Sequence, residues 1–396
     1  MSGKRKIAVV TSSRADYSHL YWVLVELSRQ PDVELAIITM GPHLSREFGS
    51  TWKDIAKDGF VSAENIECLL SSDSDVGMAK TIGVATLGLA DCLGRMRPDL
   101  LLLIADRYEM LAPASVALAL RIPVAHIEGG DLSLGAIDDA VRNALTKLSH
   151  IHFTTTEVSR QRVISMGEEP WRVHATGSPS LDHLVKNTLL TRDEVERRLG
   201  IRLDRDTIAV IYHPVTISHD TLFEVDELLG ALKNLPQRLL LISPNADAGS
   251  RELMSRMQAL MAARGNADMI TSIEHLAYLS LLKYLAVLVG NSSSGVMEAA
   301  SLKLPVVNVG LRQKGREHAE NVLDCPADRA QIENAICVAL SQSFRDSLRN
   351  LINPYGDGHA AEKITRVLTT APLSQSLLMK EPAPIRTMEE YAHSAG

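Results

Sequence analysis

Leu285-Ala-Val-Leu-Val-Gly-Asn-Ser-Ser-Ser-Gly-Val-Met-Glu-Ala-Ala-Ser301 is the stretch on which the reading of this chain turns. Leu285 to Val289 is an unbroken apolar run, the pattern of a strand buried on both faces of a parallel sheet, and Val296 to Ser301 has helical composition. A strand that empties through small hydroxyl residues and glycine into a helix start is one step of a β-α-β unit. At the junction, Ser292, Ser293, Ser294 and Gly295 offer backbone N–H groups and hydroxyls beside the positive end of the helix dipole, a cradle suited to a diphosphate. Glu298, one turn further in, could accept from sugar hydroxyls beside that group. Serine and glycine also build ordinary turns and caps, so the stretch alone leaves the ligand open.

The same grammar runs through the whole chain. Expected strands lie at Ile7 to Thr11, Glu34 to Thr39, Leu100 to Ile104, Val124 to Ile127, Ile151 to Thr154 and within 172 to 179. A second series follows at Thr207 to Tyr212, Arg238 to Ile242, Met269 to Thr271, Leu285 to Val289 and Val306 to Asn308. Helical patterns separate them, among them Tyr17 to Arg29, Val76 to Arg95, Leu111 to Leu120, Ala136 to Ser149 and Arg192 to Leu199. This α/β alternation predicts two Rossmann-like doubly wound domains whose strand-end loops face a cleft. The expected domains are 1–185 and 186–365, the latter closed by the helical stretch Ala360 to Leu368. A segment at 366–380 could return to the first domain, and 381–396 reads as a loose tail.

With 396 residues, both domains can have full cores. Lys and Arg number 41 against 48 Asp and Glu, a balance that argues against a nucleic-acid partner. Cys68, Cys92, Cys325 and Cys337 show no CxxC spacing or disulfide density, so a cytoplasmic home is expected. The apolar runs Leu100 to Ala105 and Ala112 to Leu120 are far short of a membrane span, and a soluble protein with no membrane partner is expected. Neither a Gly-rich dinucleotide fingerprint nor a GxxxxGK[ST] loop follows the first strand, which weakens nicotinamide and ATPase readings.

Polar residues collect where expected strands end, the position of ligands in open sheets. Thr11-Ser-Ser-Arg14 leaves the first strand; Arg14 could bind phosphate or face solvent, and Asp16 could cap the next helix. Asp106 is the first carboxylate past Leu100 to Ile104. His126 and Glu128 share a face by strand alternation, and Asp138 and Asp139 open the helix carrying Arg142. Each acid has a structural alternative in a helix end or a local ion pair, but acids gathered in one cleft suit proton transfer. His213, held by Pro214, could be aimed across the cleft, and Arg312, Lys314 and Arg316 could clamp phosphates or form a solvated loop. His126 with Glu128, or His150 with His152, lacks further ligands around it, so no metal site is expected.

In this order, Ser12-Ser-Arg-Ala-Asp-Tyr17, Asp106-Arg-Tyr-Glu109, His126-Ile-Glu-Gly-Gly130, Gly135-Ala-Ile-Asp-Asp139 with Arg142, His213-Pro214, Asn291-Ser-Ser-Ser-Gly295 with Glu298, and Arg312-Gln-Lys-Gly-Arg316 form a series. The chain up to about residue 375 thereby resembles the UDP-N-acetylglucosamine 2-epimerase family, in particular its hydrolysing branch, which the Gly135-to-Asp139 form resembles more than the non-hydrolysing one. The resemblance implies a glycosyltransferase-B fold, a UDP-sugar substrate, no cofactor, and assembly as a homodimer or homotetramer. It implies that Asp106, Glu128 and Asp138 are catalytic carboxylates and His213 a cleft histidine. Arg14 and Ser292 to Ser294 would contact the diphosphate, and Glu298 the ribose. Ala105 departs from the family's usual glycine, and its methyl group would matter if the backbone there has positive φ.

The chemistry so implied starts from UDP-N-acetylglucosamine. A carboxylate takes the C2 proton while UDP leaves C1; water adds to the resulting 2-acetamidoglucal at C1, and a proton returns to the opposite face of C2, releasing N-acetylmannosamine for sialic acid synthesis. The alternatives are the same reaction on UDP-N,N'-diacetylbacillosamine and a non-hydrolysing 2-epimerase. A glycosyltransferase of the same shape, or a sugar-nucleotide-binding regulator, is a reading from another class.

Overall fold

The computed structural model describes residues 3–70, 74–134, 137–213, 222–243, 250–271 and 273–381. Its first sheet contains β1 (Arg5–Thr11), β2 (Val33–Met40), β3 (Ser62–Ile66), β4 (Leu100–Ile104), β5 (Val124–Ile127), β6 (Ile151–Thr154) and β7 (Val173–Ala175). Its second contains β8 (Ile208–Ile211), β9 (Leu239–Ile242), β10 (Ala267–Ile270), β11 (Val287–Gly290), β12 (Val306–Val309) and β13 (Val322–Cys325). Among the described residues the orders are β3-β2-β1-β4-β5-β6-β7 and β10-β9-β8-β11-β12-β13, with parallel pairing throughout.

Burial on both faces explains why the central strands are almost wholly apolar. Along β1 and β4, Ile7, Val9, Leu100, Leu102 and Ile104 enter one core, while Ala8, Val10, Leu101 and Leu103 enter the core on the opposite face. The second sheet repeats this, with Ile208, Val210, Val287 and Val289 on one side and Ala209, Ile211 and Leu288 on the other. The order reverses between β1 and β4 and between β8 and β11. In each sheet the strands flanking that reversal run outward, leaving a crevice at their carboxyl ends.

Helix Asp75–Met96 is long and apolar enough, by length and composition, to cross a membrane, although no uninterrupted run announced it. Its Ala85, Leu89, Cys92 and Leu93 instead pack into a core of the first sheet. Cys68, Cys92 and Cys325 are also buried, which pushes each thiol up to about 11, whereas Cys337 is exposed.

Three expectations change. β3 and β13 were not anticipated: each lies at a sheet edge, where half-exposed Ser-Ala-Glu-Asn-Ile and Val-Leu-Asp-Cys lack the apolar run of a central strand. Helix Ala360–Thr370 does not close the second domain; Ala360, Ala361, Ile364 and Leu368 join Leu20, Leu24 and Leu27 in the first core. The chain therefore comes back at Ala360, before the expected return at 366. The expected tail lies, beyond Glu381, outside the described residues.

Two fastenings hold that return. The buried Asp182 carboxylate accepts the Ala360 and Ala361 N–H groups at 2.9 and 3.0 Å, serving the helix start that His359 leaves uncapped. Arg172, also buried, donates to the carbonyls of Leu377 (2.8 Å), Ser376 (3.1 Å) and Met379 (2.7 Å). Arg172→Ala should cost about 3 kcal/mol or more, because charge-assisted bonds to three backbone carbonyls are lost together. Urea denaturation checks the loss, and limited proteolysis checks that residues 375–381 become cleavable.

Candidate active site

The carboxyl end of β1 runs directly into helix Arg14–Ser28. Ser13 is its N-cap, and the Asp16 carboxylate accepts the Ser12 N–H, Ser12 hydroxyl and Ser13 N–H in a capping box. These serines are thus occupied in starting the helix. Arg14 is exposed and donates to the Ile273 carbonyl of the second domain.

At the ends of β4 and β5 the backbone turns left-handed at residues other than glycine. Ala105 has φ 61° and Glu128 φ 68°, a conformation costing roughly 1–2 kcal/mol per residue. Both are held in place: the Ala105 N–H donates to the Ile127 carbonyl at 3.0 Å, and the Glu128 N–H donates to that of Phe153 at 2.8 Å. The buried His126 ring nitrogen Nε2 lies 2.8 Å from the Ala105 carbonyl. Strand alternation stops at Ile127, so it does not carry Glu128 onto the face of His126 as expected.

The acids meet cations here. Asp106 pairs with buried Arg142, which also donates to the Asp131 carbonyl at 2.7 Å and the Ser133 hydroxyl at 3.1 Å. Glu128 pairs with His19, Nδ1 to Oε1 2.7 Å. Burial would raise the Glu128 carboxyl, yet His19, Arg142 and Arg316 together hold it below the ordinary range. Asp138, in the first turn of helix Asp138–Leu148, moves the other way: burial and neighbouring Asp106 push it up. Gly135 and Ala136 of the same motif lie outside the described residues.

In the second domain the strand-end groups gather around Asn291. Its Oδ1 accepts the His213 N–H at 2.7 Å, its Nδ2 donates to the His213 carbonyl at 2.8 Å, and its own carbonyl accepts from Arg312 and Gln313, each at 3.0 Å. Gly290 makes this join possible: with φ 137°, a Cβ there would fall 1.9 Å from the Ile211 carbonyl oxygen. Ser292 caps helix Ser293–Ser301, accepting the Ser294 N–H at 3.3 Å, so the helix starts before the expected Val296. Gly295 lets the helix lie on β12, because a Cβ would approach Val306 to 2.9 Å. Burial, then Arg312, lowers the His213 imidazole to about 3. Pro214 to Thr216 lie outside the described residues.

Asp106, Glu128, Asp138, Arg142 and Arg316 thus share one electrostatic neighbourhood, and His213, Ser292 to Ser294 and Arg312 another, with Arg14 bonded elsewhere. Arg316 reaches across from the second domain to Asp131, 3.5 Å away. Buried Glu298 faces His19 and Tyr278, whose phenol adjoins Ser292 and Ser294. His19 and Asp131 were not anticipated. Asp131 directly follows the motif that ends at Gly130 and was not weighed with it, and a lone histidine one turn after Asp16 carries no signal of its partner. His150 and His152 are engaged within the fold: His150 Nδ1 accepts the Val124 N–H at 3.1 Å, and His152 lies 3.1 Å from Glu168. Among the described residues no three His, Cys, Asp or Glu side chains converge on a metal position.

Residues 25–369 match the family described as UDP-N-acetylglucosamine 2-epimerase. The chain is similar to a UDP-N,N'-diacetylbacillosamine 2-epimerase (hydrolyzing) of Legionella pneumophila, 36% identical over 95% of this chain and 98% of the relative. It is similar to a GDP/UDP-N,N'-diacetylbacillosamine 2-epimerase (hydrolyzing) of Campylobacter jejuni, 36% identical over 81% and 84%. A UDP-N-acetylglucosamine 2-epimerase of Neisseria meningitidis is 31% identical over 85% and 88%. In fold, the chain matches the crystal structure of a Neisseria meningitidis UDP-GlcNAc 2-epimerase bound to UDP-GlcNAc, with TM-score 0.79 and 19% identity over 92% and 99%.

The left-handed backbone at residue 105 yields a direct test. Ala105→Gly removes the methyl group's steric cost and adds unfolded-state freedom, which offsets part of the gain; a net stabilisation of about 0.5–1 kcal/mol is expected. A lower urea midpoint with an unchanged slope would refute it.

Proposed function

Because the chain belongs to the UDP-N-acetylglucosamine 2-epimerase family and is an enzyme of the UDP-sugar hydrolysing type, we propose that its substrate is UDP-N,N'-diacetylbacillosamine, released with water as UDP and the free C2-inverted sugar. The observation that carries this choice is the higher identity to the Legionella and Campylobacter relatives than to the Neisseria relative. It favours the reading that the sequence placed second over UDP-N-acetylglucosamine, which remains the other substrate to test.

The geometry supports the chemistry by giving neighbouring carboxyl groups unlike environments. Glu128 is biased toward the ionised form by its cations, while Asp138 is biased toward the protonated form by burial and Asp106. Such a split suits a base and an acid acting on opposite faces of one carbon. In our reading Asp106 and Glu128 serve C2 proton transfer, and Asp138 water activation or the second protonation. As the C2–H pair forms the C1=C2 bond, the C1–O pair leaves with UDP. Water then supplies hydroxide to C1 while an acid returns a proton to C2.

The second domain would hold the leaving group. The helix start at Ser292 to Ser294 and Arg312 can stabilise diphosphate charge, with Glu298 set toward the ribose. His213, neutral near pH 7, fits a hydrogen-bond donor to a phosphate oxygen better than a proton source.

Incubation with each UDP-sugar in deuterated water, followed by NMR, tests the proposal. Free, inverted, C2-deuterated sugar should form from the diacetylbacillosamine substrate with kcat/KM at least about tenfold above that for UDP-N-acetylglucosamine. The reverse preference would return the assignment to UDP-N-acetylglucosamine, and absence of C2 exchange from both would remove the proposed reaction. Asp106→Asn should lower kcat by roughly 100-fold or more while UDP affinity by calorimetry stays within about threefold; near-normal turnover would take Asp106 out of the chemistry.

A further inference from the structure

His19 lies on helix Arg14–Ser28, and its Nδ1 is 2.7 Å from Glu128 Oε1. The carboxylate side chain is 8% exposed and the imidazole 24%, so the pair sits at the cleft wall with little water around the acid. A carboxyl group buried without a partner would take up a proton and could then accept none from a substrate.

Several charged groups surround the pair. Facing His19 are Asp16 from its own helix, Glu128 from the end of β5, Glu298 from helix Ser293–Ser301, and the rings of His183 and His275. Facing Glu128 are His19, Arg142 and Arg316, with His126 and Tyr355 also within electrostatic reach. Arg142 is committed to Asp106, the Asp131 carbonyl and Ser133, and Arg316 leans on Asp131. They act on Glu128 through space, whereas His19 holds its carboxylate by a direct bond. Burial alone would lower the His19 imidazole, but the charge and hydrogen bond of Glu128, helped by Glu298 and Asp16, outweigh it and push it up to about 9.

We propose that His19 is a positioning residue for the reaction: as an imidazolium it keeps Glu128 ionised and aimed, so that Glu128 takes the C2 proton and its return falls to Asp138. This rests on the reading that Glu128 takes part in proton transfer. The C2 proton moves to a Glu128 oxygen and the C1–O electron pair departs with UDP. His19 neither gains nor loses a proton in that step.

The left-handed backbone at Glu128 makes the bond to His19 more than an electrostatic aid. Its φ of 68° points the residue away from the path of β5, and the His19 bond anchors the far end of the side chain. Both ends of Glu128 are therefore fixed, the backbone by Phe153 and the carboxylate by His19.

The test compares wild type, His19→Gln, His19→Lys and Glu128→Gln by kcat/KM against pH and by NMR titration of the His19 ring. An adjacent cation lowers a carboxyl pKa, so its loss should move the acidic limb of His19→Gln upward by about 1–3 pH units. kcat at pH 7 should fall about tenfold or more, mainly because the Glu128 carboxylate is no longer held in place, with KM within about twofold. His19→Lys restores the cation and should recover part of both effects. The His19 ring should titrate near 9 in wild type and clearly lower in Glu128→Gln. An unmoved acidic limb in His19→Gln, or His19→Lys no better than His19→Gln, overturns the proposal while an inactive Glu128→Gln leaves the underlying reading intact. A fully active Glu128→Gln removes that reading instead. If His19→Gln fails to fold, the ring titration decides, and no downward shift in Glu128→Gln overturns the pairing.

Discussion

The carboxylate of Asp182, receiving the backbone N–H groups of Ala360 and Ala361, is the contact on which the geometry of this molecule depends. The chain leaves the first domain near residue 182 and comes back near residue 360, and this one side chain ties the two crossings together. The connection extends toward the chemistry. The Ser178 N–H donates to the Tyr355 carbonyl at 2.7 Å, and the Tyr355 hydroxyl donates to the Glu317 carbonyl at 2.8 Å, next to Arg316. Arg316 then reaches Asp131 and the carboxylates of the first domain. A short run of hydrogen bonds thus joins the crossing to the cleft, so the place where the domains are hinged also sets where a second-domain cation meets first-domain acids.

Within that cleft, opposite pKa biases arise from ordinary causes. Burial acts on Glu128 and Asp138 alike; the difference lies in company. Glu128 has three cations near it, whereas at Asp138 burial and the Asp106 carboxylate outweigh Arg142 and Arg107. The same logic leaves His213 neutral beside Arg312 and His19 charged beside Glu128, two histidines of one cleft with opposite states. The cost appears in the backbone, where Ala105 and Glu128 hold strained conformations at adjacent strand ends.

What could be read from the sequence follows burial. β1, β4, β5 and β11 are legible because strands covered on both faces must be apolar throughout, whereas edge strands β3 and β13 carry a mixed pattern that resembles loop. Asp106, Glu128 and Ser292 to Ser294 stood out because a polar residue just past such a run lands at a strand's carboxyl end. His19 did not, since its role comes from Glu128, 109 positions away, and helix periodicity says nothing about a partner on another strand. The domain membership of helix Ala360–Thr370 was hidden for the same reason: its amphipathic pattern shows that one face is buried, but not against which sheet.

The uneven burial of the thiols gives the molecule a built-in handle. Cys68, Cys92 and Cys325 are enclosed and resist ionisation, while Cys337 stands exposed on helix Arg329–Leu340 of the second domain. Gentle alkylation would therefore place a fluorophore at one known position without altering the sequence. Paired with the intrinsic emission of Trp22, Trp52 and Trp171, all three in the first domain, that dye would report the separation of the two halves of the cleft as a nucleotide sugar enters.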